Sequence, residues 1–199
     1  MGNAIKIVLS RLCLTAVFFM ASTGAQAGLQ EGIAAYNKGE YQAAIKEIEP
    51  LAGKGNAAAQ LYLGKMYMQG QGAFKPDHAK AIFWARKAAS RKNAEAQHFL
   101  GFLYYYGLGV PQNYAEAMLW YGKAAEQGNA KAQTSLGSMF ANGQGVSQDW
   151  VQACKWFKLA AVSGEADAMV KLKAAEDDMT SEQIKDVDAL AQEWLEKRK

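Results

Sequence analysis

Small and apolar residues recur along the middle of this chain at a spacing much longer than the period of a single helix or strand. Leu-Gly pairs end at Gly64, Gly101 and Gly137, and the tryptophan that follows each pair recurs every 36 residues. A fixed period of this size predicts stacked structural repeats, each of which buries its apolar face only against its neighbours. Apolar positions within each copy follow a helical period, so we predict an all-α fold of antiparallel helix pairs.

The second copy shows where the two helices of a repeat begin and end. Asn93 is placed to cap a first helix that runs to about Tyr106. Glycines and a proline at 107–111 break this helix, because glycine supplies turn conformations and proline resists continuation. A second helix then begins at Asn113 or Tyr114. Each copy is therefore predicted to be a helix, a glycine-containing turn and a second helix.

Gly101 lies inside the predicted first helix of the second copy. A glycine there costs roughly 1 kcal/mol relative to alanine, so we predict a close contact with a neighbouring helix that offsets this cost. Tyr104 and Trp120 occupy positions that recur as aromatic residues from copy to copy. We expect these two side chains to hold the fold.

The recurring residues resemble the Sel1-like repeat, a relative of the tetratricopeptide repeat, over about residues 56–164. The second copy matches the family pattern nearly throughout, including Lys123. The third copy has Phe140 in place of the tyrosine, and the first has Lys92 at the closing glycine. The resemblance implies a right-handed superhelical solenoid. The sequence pattern of the family, to which these copies are compared, is roughly A-x-A-Q-x-x-L-G-x-x-Y-x-x-G-x-G-V…A-x-x-W-x-x-K-A-A…G.

The two ends of the chain depart from this pattern, as terminal repeats do. Residues 28–55 resemble a degenerate tetratricopeptide repeat, with helices near 28–38 and 40–53. Near the C-terminus, Thr180 and Gln183 have capping-box spacing and precede an amphipathic helix that we expect to cover the end of the stack. The predicted units are a signal peptide 1–27, an N-terminal capping helix pair 28–55, Sel1-like repeats 56–92, 93–128 and 129–164, and C-terminal capping helices 165–199.

The first 27 residues have the pattern of a cleavable secretory signal. Lys6 and Arg11 are basic, residues 12–20 are apolar, and Ala25-Gln-Ala27 has the small-residue spacing of a cleavage site. The apolar run is shorter than the roughly 20 residues that a membrane-spanning helix requires. We therefore expect cleavage after Ala27, no membrane span, and a periplasmic or secreted bacterial protein. The alternative is an uncleaved N-terminal anchor.

Charge and cysteine content narrow the classes of partner. Of the 22 Lys and Arg residues two lie in the predicted signal, and the rest nearly balance the 19 Asp and Glu residues. No basic stripe runs through the repeats, so we predict no nucleic-acid partner. Cys154 is the one cysteine after the predicted cleavage site. It aligns with apolar residues, which predicts a buried thiol; a redox-active or partner-linked cysteine is the alternative.

Residue patterns typical of catalysis or metal binding are missing from the sequence. His78 and His98 stand alone, without the spacing of metal ligands. There is no phosphate-binding glycine loop and no G-x-S-x-G elbow around a serine. The acidic pair Asp177–Asp178 is expected in a solvated loop. We therefore predict that the protein is not an enzyme, with no catalytic residue, no metal ligand and no cofactor.

The resemblance also implies a binding surface. In tetratricopeptide relatives the concave face is lined by the positions of each first helix that do not pack in the core. Tyrosine and phenylalanine concentrate there in the second copy, where Phe102 and Tyr105 are expected to contact a partner. The alternative is that both rings pack against neighbouring first helices. Carried over by register, the predicted partner-binding residues are Leu61, Lys65, Met68, Glu95, His98, Phe102, Tyr105, Tyr106, Lys131, Thr134 and Ser138.

Two classes of function are compatible with these features. The first is a non-catalytic protein–protein interaction module or adaptor in the bacterial envelope, which binds an extended peptide or a partner helix in the concave groove. The alternative is a binder of envelope glycan or of a small ligand, which would use the aromatic residues of the second repeat as stacking platforms. A protein partner is the expectation that we carry forward.

Overall fold

The computed structural model describes residues 26–198, and within this range all regular secondary structure is helical. The predicted signal segment therefore lies outside the described residues, apart from positions 26 and 27. None of the described helices is long and apolar enough to cross a bilayer. The helices are α1 (26–37), α2 (Tyr41–Gly53), α3 (Ala57–Gln69), α4 (His78–Ala89), α5 (Ala94–Tyr106), α6 (Tyr114–Glu126), α7 (Ala130–Asn142), α8 (Trp150–Val162), α9 (Ala166–Glu176) and α10 (Ser181–Glu196).

The helices begin where short polar side chains can cap them, as the sequence predicted. Asn93 accepts a hydrogen bond from the backbone of Ala96 at 2.8 Å, and Asn113 accepts one from Glu116 at 3.0 Å. Each such cap contributes about 1 kcal/mol. Four further residues cap α3, α4, α7 and α8 in the same way: Asn56, Asp77, Asn129 and Asp149.

The helices form a right-handed solenoid in which α3–α4, α5–α6 and α7–α8 are the three central pairs. Each second helix also packs against the first helix of the following pair. A buried glutamine joins the pairs: the amide nitrogen of Gln97 donates to the carbonyl of Ala89, 3.3 Å away. Gln60 and Gln133 make the same bond to Ala52 and Ala125. Each glutamine is thus a second donor to a carbonyl at the end of the preceding helix, which also accepts from the backbone of the turn that follows.

The close contact predicted at Gly101 is confirmed. A Cβ atom added there would lie 2.6 Å from Cδ1 of the buried Tyr121 ring, well inside van der Waals distance. The missing side chain therefore lets α5 and α6 approach closely. Gly137 has the same relation to Phe157 in the next pair, with 2.7 Å to Cδ1.

Both C-terminal helices pack against α8, the last helix of the third repeat. The capping box is confirmed, since Thr180 and Gln183 exchange hydrogen bonds of 3.3 and 2.9 Å. However, α10 packs along α8 rather than covering the outer face of α9. Met169 and Val170 on α9 consequently remain exposed, at 47% and 69%. The C-terminal helices α9 and α10 therefore both cover α8, while α9 keeps an exposed apolar surface.

Cys154 is a free and fully buried thiol on α8. Burial raises its pKa to about 11, so the sulfur is protonated at neutral pH. A protonated, inaccessible thiol is a poor nucleophile. The predicted buried thiol is thus confirmed.

The contrast between Gly101 and Gly122 gives a matched test of the packing. Gly101→Ala should destabilise the protein by about 1–3 kcal/mol, because overpacking against Tyr121 exceeds the gain in helix propensity. An added Cβ at Gly122 meets no atom within 4 Å. Gly122→Ala should therefore stabilise by about 1 kcal/mol. Urea denaturation of both variants measures the two effects; equal shifts of the same sign would contradict the predicted contact.

Lys92 adopts φ 59°, whereas glycines occupy the equivalent helix ends at Gly128 and Gly164 with φ 86°. A left-handed backbone is strained for a residue with a Cβ. Lys92→Gly should therefore raise the free energy of unfolding by about 0.5–1 kcal/mol, after allowing for the greater freedom of glycine in the unfolded chain. Gly164→Ala is the matched control, since no atom lies within 4 Å of its Cβ. It should destabilise by about 1 kcal/mol through backbone strain alone.

Candidate functional site

The first helices α3, α5 and α7, together with α1 and α9, line one face of the solenoid. Two adjoining cavities of about 590 and 420 Å³ open on this face. They share four lining residues: His98, Phe102, Lys131 and Glu165. We call the combined surface the inner groove. Its centre lies at the junction of α5 and α7, where the sequence placed its aromatic residues.

The helical period decides which side chains of α5 enter the groove. Leu100 and Leu103 are fully buried in the core beneath α5. His98, Phe102 and Tyr105 lie on another face of the same helix and line the cavities. This arrangement follows from the spacing of three and four residues that keeps side chains on one helical face.

The aromatic side chains of α5 form a connected wall of the groove. The ring of Tyr106 lies 4.6 Å from Phe102 and 4.8 Å from Tyr105 between centroids. The hydroxyl of Tyr105 donates to Oε1 of Gln144 at 3.0 Å. Tyr106 is 58% exposed, so one large amphipathic ring of the wall is available to a ligand.

A polar cluster forms the floor of the smaller cavity. The Nε2 atom of His98 lies 3.4 Å from the hydroxyl of Ser135, and its ring lies 5.4 Å from that of Tyr121. Burial lowers the pKa of His98 to about 4, assisted by the charges of Lys131 and Lys65. Burial also raises the pKa of Tyr121 above its usual value. All three groups are therefore neutral near pH 7 and can recognise a ligand by hydrogen bonding.

Charged side chains of both signs surround this floor. Lys65 pairs with Glu95 at 2.6 Å, and Lys171 pairs with Asp167 at 2.5 Å. Within residues 26–198, Lys131 and Glu165 have no oppositely charged partner within 4 Å. The groove thus offers a ligand one ammonium and one carboxylate that no internal ion pair occupies.

Most of the predicted partner-binding residues lie together in the inner groove. The nine that line its cavities are Lys65, Met68, Glu95, His98, Phe102, Tyr105, Tyr106, Lys131 and Ser138. The prediction is wrong at Leu61, because this side chain is buried in the core between α3 and α4 with 1% exposure. Thr134 touches the cavity but is 6% exposed, and its hydroxyl donates to the carbonyl of Ala130. The Leu61 side chain is thus directed into the stack, whereas Thr134 lines the cavity with its hydroxyl already bonded to its own helix.

The predicted contrast between surface and core aromatics is not found. Phe102 and Tyr105 line the groove and also pack against the apolar core, as Tyr104 and Trp120 do. Trp120 is only half-buried, and its indole nitrogen donates to Glu116 at 3.0 Å. Tyr106 is therefore the aromatic residue of α5 that is most available for binding.

Among the groove residues that sequence reasoning missed are Tyr36, Tyr121, Ser135, Glu165, Asp167 and Lys171. Extending the register by one further repeat would have placed Asp167 on this face, because it lies 36 residues after Lys131 and α9 continues the series of first helices. Tyr121 gives no such signal. It belongs to a second helix and reaches the floor only because Gly101 leaves space beside its ring.

The serine and histidine on the floor of the groove are not aligned as a nucleophile and its base. The hydroxyl of Ser135 donates to the carbonyl of Lys131 at 2.9 Å, so its proton is not directed at His98 as in a nucleophile–base pair. Within the described range 26–198, no group of three or more His, Cys, Asp or Glu residues is placed to hold a metal ion.

Solved structures show the same architecture. A Sel1 repeat protein from Oxalobacter formigenes is 35% identical, with a TM-score of 0.67 over 72% of this chain and 58% of that chain. The protective antigen c5321 of uropathogenic Escherichia coli, which has an SLR fold, is 26% identical, with a TM-score of 0.61 over 88% of this chain and 46% of that chain. The chain thus spans about half the length of these relatives. No curated protein matches it.

Three consecutive segments of the chain match the Sel1 repeat family model, at residues 57–93, 94–129 and 130–164. Together they cover more than half of the 199 residues. The segments coincide with the helix pairs α3–α4, α5–α6 and α7–α8. The chain therefore belongs to the Sel1 repeat family, whose repeats generally mediate protein–protein interactions.

Proposed function

We propose that this protein is a non-catalytic interaction module of the bacterial envelope that binds an extended peptide or a partner helix in the inner groove. The observation that carries the proposal is the joining of two cavities around His98, Phe102 and Lys131. A groove that crosses several repeats gives an elongated ligand contacts to each of them. A compact ligand would use only one cavity.

The chemistry of the groove supports a polypeptide ligand. The aromatic wall offers Tyr106 to an apolar side chain, and the neutral floor of His98 and Ser135 offers hydrogen bonds to peptide groups. Lys131 and Glu165 can each meet a charged side chain of the ligand. Mixed apolar, polar and charged contacts of this kind are typical of protein interfaces with a few dominant residues.

Export to the envelope is the second part of the proposal. It rests on the basic start, the short apolar run and the small residues at Ala25 and Ala27. An exported module would meet its partner in the periplasm or outside the cell. Periplasmic or secreted location follows if the signal is cleaved.

Binding in the inner groove is tested with peptides selected from a random library on the immobilised full chain. Tyr106→Ser should weaken capture of the selected peptides by about 2 kcal/mol, because an exposed aromatic anchor is lost. Its stability should change by no more than about 0.5 kcal/mol, as for a surface substitution. Phe83→Ser is the control, since Phe83 is similarly exposed, at 49%, on α4.

Equal binding of the peptides to both variants would contradict the groove assignment. Retention of purified envelope polysaccharide, together with failure to select any peptide, would favour the glycan-binding alternative. Either result is read by surface plasmon resonance on the same immobilised chain, so the two classes of ligand are compared under one condition.

Cleavage of the signal is tested by intact-mass spectrometry of the protein purified from its native envelope. We expect a chain that begins at Gly28, because Ala25 and Ala27 occupy the small-residue cleavage positions. A mass that includes residues 1–27 would show instead that the segment is retained as an anchor.

A further inference from the structure

The opposite face of the solenoid, formed by the second helices, carries a groove that α10 fills. Val187 of α10 packs against Cys154, and Ala191 joins the apolar cluster around Trp156 and Leu159. Asp188 pairs with Lys158. The C-terminal end of α10 reaches α6, where the indole nitrogen of Trp194 donates to Glu126 at 3.0 Å. We call this site the filled groove.

The same groove recurs 36 residues earlier in the chain, between α4 and α6, and there no described residue fills it. It is a shallow cavity of about 730 Å³. Leu119, at its centre, is 49% exposed. We call this site the open groove, and the residues that matter for its chemistry are Ala89, Lys92, Met118, Leu119, Trp120 and Lys123.

The two grooves correspond residue by residue. Met118 and Trp120 of the open groove stand where Cys154 and Trp156 contact α10. Lys123 replaces Leu159, which is buried at the filled site. The floor of the open groove is therefore apolar like that of the filled groove. Each groove carries two lysines, which are Lys92 and Lys123 at the open groove and Lys155 and Lys158 at the filled groove.

We propose that the open groove binds an acidic amphipathic helix of a partner protein. Residues 181–196 of α10 show what such a groove accepts, since they combine an apolar stripe with five carboxylates and a single lysine. The open groove has Lys92 and Lys123 on its rim against Glu126 alone. Opposite charges across an interface favour the correct partner and suppress wrong ones.

Lys92 gives an independent indication that a ligand binds here. It is the one non-glycine residue at positive φ among residues 26–198. Its counterpart at the filled groove is Gly128, beside which the guanidinium of Arg198 lies, 3.2 Å from the position of an added Cβ. The cation at this position of the open groove is therefore Lys92 of the repeat. At the filled groove it is Arg198, which follows α10. A strained backbone that holds a charged side chain at a cavity is typical of a binding site.

The α10 helix of a second copy is not the occupant that these contacts favour. Its residues Val187 and Ala191 are already buried on α8, and four residues, 177–180, connect it to α9. Release of α10 would expose its apolar stripe and the filled groove together. Its Arg198 would also approach Lys92 with the same charge.

The proposal is tested by NMR titration of the ¹⁵N-labelled full chain with a synthetic peptide of residues 180–196, which lacks Lys197 and Arg198. We expect amide shifts confined to residues 89–92 and 118–127, with one peptide bound per chain. Leu119→Glu should weaken binding by about tenfold or more, because it places a carboxylate in the apolar floor. Lys123→Glu should weaken it by a similar factor through charge reversal.

Lys46→Glu is the matched control, because Lys46 is exposed on α2 and lines neither groove, so the same charge reversal there should leave peptide affinity unchanged. Lys92→Gly should weaken binding although it raises the urea midpoint, a combination that a purely structural role would not produce. A peptide in which Asp186, Asp188 and Glu193 are replaced by lysine should not bind.

Three outcomes would overturn the proposal. The first is no saturable binding, or equal affinity for the wild type and Leu119→Glu. The second is shifts at residues 154–163, which would mean that the peptide only exchanges with α10 in the filled groove. The third is a dimer of the chain in sedimentation analysis that Leu119→Glu dissociates, which would make a second copy the occupant. Loss of peptide capture by Tyr106→Ser, tested separately, leaves this proposal unaffected.

Discussion

Each repeat of this solenoid can bury its apolar face only against the repeat before and the repeat after it. The glutamine bonds to Ala52, Ala89 and Ala125 and the close approach at Gly101 both act across such local contacts. A structure built this way has no central core that compensates for an uncovered end. The chain therefore departs from its repeat pattern on the surfaces that do not stack, at the two ends and along the two faces of the solenoid.

Helix positions were predictable from the sequence because they depend on local chemistry. Asn93, Asn113 and Thr180 cap their helices through side-chain bonds that span only three residues. The path of α10 was not predictable in this way. It depends on Leu159, which replaces the lysine found at Lys87 and Lys123 and so gives α8 an apolar surface for α10 to bury.

Register predicted most of the inner groove for a similar reason. Residues one turn apart on a first helix share a face, so Lys65, His98 and Phe102 lie where the spacing placed them. The prediction was wrong at Leu61, because the register position that it shares with His98 and Thr134 lies at the edge of the stack. There the size and polarity of each side chain decide its burial: His98 remains partly exposed and Leu61 does not.

The two faces of the solenoid use the repeat differently. On the inner face, the residues that do not stack differ from repeat to repeat. At the junction of α5 and α7, aromatic and neutral polar side chains lie around His98. On the outer face, the tryptophan recurs and the residue three positions later changes from lysine to leucine. With leucine the groove is covered by the chain's own helix, and with Lys123 it stays open and charged. The position three residues after the tryptophan is thus one of those at which the covered and the open groove differ, together with Leu119 and Lys155.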